Sequence, residues 1–282
     1  MTRTMILMVA LMLIFMWIGN LIGGIEGMKT AFLMACGMNF FSYFFSDKLV
    51  LAHYKAQEVT SQSQPQLYNI VARLAQTAGL PMPKVYIIPE QVPNAFATGR
   101  NPKHAAVAAT QGLLQLLTPE EVEGVLAHEM SHVRHYDILI GSVAAVFAGA
   151  IAMLGNTARL LGGTTDSQGN RRGNPLFILI GAIVMPIAAS IIQMAISRTR
   201  EFKADEGAAL LTRHPEWLMS ALSKLEGYAK NYQMRGATAQ TAHMFIINPF
   251  STWQHQFSSL FSTHPSTEAR LAQLAEIQKR LN

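Results

Sequence analysis

Met5–Ile25 is an apolar run in which Asn20 is the single polar side chain, and it constrains the fold more than any other feature of the chain. A bilayer core takes about 20 apolar helical residues to cross. Within it a backbone N–H finds no partner outside its own helix, so the run is expected to cross as a helix. Its apolar core is too long for a signal peptide and no A-x-A site follows, so it is expected to stay attached as an anchor. Thr30–Phe45, bounded by Lys29 and by Asp47 and Lys48, is a shorter second run that would complete a hairpin. Ile138–Asn156 and Leu176–Ile196 are a third and a fourth, with a kink expected at Pro186. The last two also read as buried helices of a soluble core. Charged residues make up 14% of the chain, against about 25% in ordinary soluble domains, and this favours spans.

Four spans divide the chain into a hairpin over 1–47, a first catalytic part over 48–137, a second hairpin over 138–196 with its loop at 157–175, and a second catalytic part over 197–282. Both termini then share one side. Lys48, Lys55, Arg134, Arg198, Arg200 and Lys203 lie near span ends on the catalytic side and favour a cytoplasmic placement. Arg159, Arg171 and Arg172 in the intervening loop argue the other way. The net charge of +5 suits a surface facing anionic lipid, while scattered basic residues without aromatic clusters argue against nucleic-acid binding. A single cysteine, Cys36, excludes an intramolecular disulfide.

The chemistry concentrates at His128-Glu129-Met130-Ser131-His132. On a helix, residues four apart share a face, so both imidazoles reach one zinc ion, with Glu129 beside them as general base. Thr118-Pro119-Glu120-Glu121 reads as the start of that helix, with Thr118 as N-cap and Glu121 as its capping-box partner. A third ligand is needed. The extended metzincin pattern is excluded, because His135 and Ile138 stand where it requires Gly and His. Asp137 follows His132 by five residues and would point to another face of a continuous helix. Glu201 and Asp205, again four apart, are assigned as the third ligand and as the partner of a ligand histidine's free N–H. The other reading pairs them with Arg198, Arg200 or Lys203 on a solvated face.

Ile138 follows His132 by only six positions, about 9 Å of helix. Glu201 follows the fourth run as closely, so both ligand helices read as continuations of membrane helices, with the metal within about 10–15 Å of the bilayer surface. Pro65–Leu80 reads as an amphipathic helix ended by Gly79 and Pro81. Val85–Ile88, Ala95–Thr98 and Ala105–Ala109 suggest a small sheet. The stretch Asn94-Ala95-Phe96-Ala97-Thr98-Gly99 is a candidate edge for binding extended peptide, with Asn94, Ala95, Phe96 and Ala97 as substrate-binding residues. Phe96 also reads as plain core packing. Gln233–Thr241 reads as an ordinary loop or as a flap.

Together the amino-terminal hairpin, Pro93-Asn94-Ala95-Phe96-Ala97, the HEMSH motif, the later apolar segments and Ser197-Arg198 with Glu201 and Asp205 resemble the HtpX-like membrane metallopeptidases, relatives of the zinc CAAX prenyl proteases. The likeness covers essentially the whole length. It implies a mainly α membrane protein of four transmembrane helices carrying a gluzincin-like α+β protease domain. One zinc ion per chain would be held by His128, His132 and Glu201. The implied activity is endopeptidase cleavage of unfolded or membrane proteins in quality control and stress response, at the bacterial inner membrane with the catalytic side in the cytoplasm. The resemblance also marks Thr263-His264-Pro265-Ser266 with Arg270, which implies His264 or Arg270 as a catalytic donor to the developing oxyanion. A surface salt bridge from Arg270 to Glu268 is the plainer reading. Two rival functions are a CAAX-type processing protease and a non-catalytic zinc-stabilised scaffold. An intact Glu129 and only three evident ligands speak against the scaffold.

Overall fold

The structure is a computed structural model and describes residues 2–144, 146–147, 163–165, 171–173, 198–231, 246 and 265–281. Helix α1 (Thr2–His53) breaks at Gly23 and Gly24, where Gly24 takes φ 59° and ψ −145°, a conformation that only glycine adopts readily. The two halves fold back on each other. Asn39 Nδ2 donates to the Met8 carbonyl at 3.2 Å, and Gly19 and Gly27 approach so closely that a Cβ on either would strike the other's backbone. Their outer faces expose large apolar side chains, among them Met5, Leu13 and Trp17 in the first half and Leu33, Phe40 and Phe41 in the second. Apolar exposure on this scale marks a surface covered by lipid or protein. Among the described residues one segment, Thr4–Leu21, is long and apolar enough to cross a membrane. Thr30–Phe45 is helical, and Leu176–Ile196 lies outside the described residues.

The third apolar run is described in its first part, where residues 137–144 and 146–147 are helical. Leu139, Ile140, Val143, Ala144 and Phe147 pack there against Leu7 and Leu11 of α1. This segment does not continue the HEMSH helix, contrary to the spacing argument. Helix α4 (Pro119–Arg134) stops, Tyr136 turns left-handed at φ 61°, and a separate helical stretch starts at Asp137.

A four-stranded mixed sheet stands beside α4, in the order β1 (Gln57–Val59), β2 (Lys84–Ile88), β4 (Ala105–Thr110), β3 (Ala95–Gly99). The three runs expected as strands are β2, β3 and β4. Strands β2 and β4 are parallel, while β3 is antiparallel to β4 and forms an edge. Helix α2 (Pro65–Ala78) ends where Gly79 turns to φ 65° and its N–H caps the Ala75 and Gln76 carbonyls. Helix α3 (Gln111–Leu116) is capped by the Thr110 hydroxyl, which accepts from Leu113 N–H at 3.1 Å. In the 157–175 loop, β5 (Gly163–Thr165) and β6 (Arg171–Gly173) form a hairpin that had no sequence signal. Helices α5 (Arg198–Thr212), α6 (Pro215–Asn231) and α7 (Thr267–Leu281) complete the core.

Helix α4 is central and almost wholly buried. Small residues bring its neighbours close: a Cβ on Gly124 would lie 2.7 Å from Leu218 N of α6, and one on Gly207 of α5 would collide with Ser131. Its first turn closes the expected capping box. Glu121 Oε2 accepts from Thr118 N–H at 2.8 Å, and Thr118 Oγ1 accepts from Glu121 N–H at 3.4 Å. The same carboxylate receives Ser220 Oγ at 2.6 Å and Lys224 Nζ at 2.8 Å, tying α4 to α6. Burial opposes the Glu121 charge, but the bonds from Lys224, Ser220 and Thr118 outweigh it and hold the pKa below 4.5. A lowered folded-state pKa contributes stability above the unfolded value that fades as pH falls through the folded one. Glu121→Gln is therefore expected to cost about 1 kcal/mol at neutral pH, the exposed Lys224 limiting the gain. Thermal shift assays on both proteins should show the gap in Tm narrowing towards pH about 3.

Candidate active site

Helix α4 presents His128, Glu129 and His132, and α5 brings up Glu201 and Asp205. The two Nε2 atoms lie 3.2 Å apart, and the Glu201 carboxylate is 3.6 Å from each of them. All three donors fall within 4.8 Å of one another. Ligands at about 2.0–2.2 Å around a tetrahedral zinc are separated by about 3.3–3.6 Å, so this trio fits such an ion and leaves its fourth position open.

Behind the ring of His128, Nδ1 lies 2.9 Å from Asp205 Oδ1. Asp205 is fully buried and is gripped by Arg270, whose Nε and Nη2 donate to its two oxygens at 2.8 and 2.6 Å. Arg270 Nη1 donates to the Ile246 carbonyl at 2.7 Å, and Nη2 lies 3.3 Å from His128 Nδ1. Burial penalises the Asp205 charge, yet the Arg270 cation and its hydrogen bonds keep the carboxyl below its ordinary range. Burial likewise disfavours a charged His128, but the bonds to Asp205 and Glu201 prevail and push it up to about 9. An anionic pocket of this kind favours a cation.

This corrects the reading of Arg270. The side chain is 1% exposed, so it makes no surface bridge to Glu268. Its guanidinium sits on the Nδ1 side of His128, away from the Nε2 atoms that face the candidate metal position. In this structure the guanidinium is engaged by Asp205 and the Ile246 carbonyl. His264 and Ser197 lie outside the described residues, as does Gln233–Thr241.

Glu129 is 7% exposed, and burial raises its pKa. Its Oε2 accepts the Ala97 N–H at 2.9 Å, which places the edge strand directly against the HEMSH helix. The Ala97 amide therefore points away from β4. By the two-residue period of a strand, the backbone groups of Ala95 and Gly99 do the same. The side chains at Asn94, Ala95 and Phe96 are buried and are not a contact surface. Phe96 packs on Tyr54 at 5.4 Å between ring centroids, and Asn94 Oδ1 accepts from Ile246 N–H at 3.3 Å. What this segment offers a ligand is backbone.

Asp137 also takes an unforeseen place. The turn at Tyr136 swings it back so that Oδ2 lies 3.4 Å from His132 Nδ1, with Arg200 Nε 3.5 Å from its other oxygen. It is not among the three converging donors. The continuous helix assumed from spacing would have carried it elsewhere, and nothing in the residue types marks a left-handed tyrosine.

A model of peptidase family M48 matches residues 61–278. The "Protease HtpX homolog" of Campylobacter hominis is 65% identical over 279 residues, 99% of each chain. Those of Campylobacter curvus and a Sulfurovum species are 62% and 55% identical, over 99% and 98% of this chain and 98% and 99% of theirs. Among solved structures, S. mikatae Ste24p has the same fold with a TM-score of 0.53 at 16% identity, covering 93% of this chain and 62% of that one. With the helical architecture, the small mixed sheet and the apolar amino-terminal helix, these matches define a membrane metalloprotease. The chain belongs to peptidase family M48.

Proposed function

We propose that the chain is a zinc endopeptidase that hydrolyses unfolded or membrane proteins in quality control and stress response. The observation that carries this reading is the His128–His132–Glu201 trio, with the Glu129 carboxylate hydrogen-bonded to the neighbouring edge strand β3. The outward Ala97 C=O, with the backbone groups of Ala95, pairs with an extended substrate segment while the Ala97 N–H stays on Glu129, an interaction that needs no particular side chain and suits unfolded targets. His128, His132 and Glu201 would hold one zinc ion, which when bound would polarise the scissile carbonyl and lower the pKa of water towards about 7. Glu129 takes the proton of the attacking water and delivers it to the leaving amine. Burial raises its pKa, which favours its holding the proton between the two transfers. Asp205 accepts a hydrogen bond from the His128 Nδ1–H and so directs Nε2 to the metal position.

The exposed apolar faces of α1 support a membrane hairpin, and the apolar runs 138–156 and 176–196 supply the second pair of four spans. The catalytic parts 48–137 and 197–282 then face the cytoplasm from the bacterial inner membrane, in keeping with the basic residues at the span ends. His264 remains a candidate donor to the oxyanion by resemblance. If Glu201 is the third ligand, purified Glu201→Ala protein loses its zinc and its chelator-sensitive cleavage of labelled casein together. Full zinc content in that variant would assign the third ligand elsewhere.

A further inference from the structure

The segment that begins at Asp137 touches three parts of the molecule that otherwise have little in common. Its first residue stands behind the ligand His132, with Oδ2 3.4 Å from Nδ1. One turn on, the buried Ser142 reaches the edge strand: Ser142 Oγ lies 2.7 Å from Thr98 Oγ1 and accepts from Gly99 N–H at 3.4 Å. The proton directions are determined. Ser142 spends its single hydroxyl proton on the Ile138 carbonyl at 2.7 Å, so Thr98 must donate to Ser142. Between and beyond these residues, Leu139, Ile140, Val143 and Phe147 pack against Leu7 and Leu11 of the apolar helix α1.

From this juxtaposition we infer that the 137–147 segment sets both halves of the active site from the membrane helix, with Asp137 positioning the metal ligand His132 and Ser142 positioning the substrate edge β3. The inference rests on the peptidase reading above. The two histidines are supported alike in kind and unlike in strength. Each has a carboxylate at Nδ1 and an arginine on that carboxylate: Asp205 and Arg270 for His128, Asp137 and Arg200 for His132. The first set is buried, with contacts of 2.9 and 2.6 Å. The second is partly exposed, with contacts of 3.4 and 3.5 Å. His132 is therefore the ligand with slack, and its support is the one attached to the α1-packed segment. A shift of that segment moves His132 and β3 together, while His128 stays fixed. Metal ligands oriented by such outer partners commonly lose about ten- to a hundred-fold in metal affinity when the partner is removed.

The two contacts predict separable defects in the full-length protein. Asp137→Ala should weaken zinc binding about ten- to a hundred-fold against a chromogenic chelator. Its KM for a quenched peptide that the parent cleaves should not change once zinc is saturating. Asp137→Asn keeps an oxygen that accepts from His132 Nδ1–H and should recover most of the affinity, which a purely structural or charge role would not give. Ser142→Ala should raise KM several-fold and leave zinc affinity at the parent value. Should Asp137→Ala fail to fold, Arg200→Gln is measured in its place and should weaken zinc binding several-fold. Parent-level zinc affinity in the Asp137→Ala or Arg200→Gln protein would overturn the inference, as would a Ser142→Ala protein with unchanged KM. Failure of the underlying peptidase reading looks different: the parent itself would cleave neither peptide nor casein.

Discussion

Removing the guanidinium of Arg270 is expected to be among the most destabilising single changes in the described part of the chain. In Arg270→Met the Asp205 carboxylate stays at 0% exposure and loses both of its shortest hydrogen bonds, while the Ile246 carbonyl loses its donor. Breaking one side of a buried, hydrogen-bonded ion pair costs about 3–5 kcal/mol, because the remaining charge has neither water nor a partner. Methionine fills much of the arginine stem's volume, so the loss is electrostatic more than steric. Thermal shift in detergent should show a large fall in Tm, and zinc affinity should fall with it, because Asp205 would no longer be held against His128. Arg270→Lys should recover only part of the stability, since a single ammonium cannot span both oxygens of Asp205 as the planar guanidinium does. A parent-like Tm in Arg270→Met would show that the pair contributes little.

Glu129→Gln is expected to produce the largest change in activity, with a fall in turnover of about a hundred- to ten-thousand-fold and zinc content unchanged. Glutamine has nearly the shape of glutamate, and its side-chain oxygen still accepts the Ala97 N–H, so the helix and the strand edge should keep their places. What is lost is the lone-pair basicity that removes and returns a proton. The same substitution relieves a buried carboxylate whose charge is disfavoured by burial, so stability should rise slightly or stay level. Activity and stability thus move in different directions at Glu129 and fall together at Arg270. That contrast separates a proton-transfer group from a positioning one.

Local signals carried far in this chain, and the places where they stopped have physical causes. Gly79 and the Thr118–Glu121 box were readable because helix ends are chosen by residue type over a few neighbouring positions. The four-residue spacing put His128 with His132, and Glu201 with Asp205, on shared faces. It could not say which arginine would reach Asp205, because Arg270 arrives from a helix 65 residues away. Strand β1 was missed: three residues with one buried side chain carry no alternation to read. Spacing along a continuous helix points Asp137 away from the metal, and the break that redirects it depends on Tyr136 taking φ 61°, which its residue type does not favour. Phe96 shows the same limit from the other side. An aromatic residue beside a cleft reads equally as contact or as core, and only its packing on Tyr54 decides.

The proposed hydrolytic site joins a metal trio to a neighbouring base. Its most direct test is zinc content and casein cleavage measured side by side on the purified full-length protein and on Glu129→Gln. One zinc per chain is expected in both, with chelator-sensitive cleavage in the parent and turnover lower by about a hundred-fold or more in the variant. Cleavage at the parent rate by Glu129→Gln would contradict it.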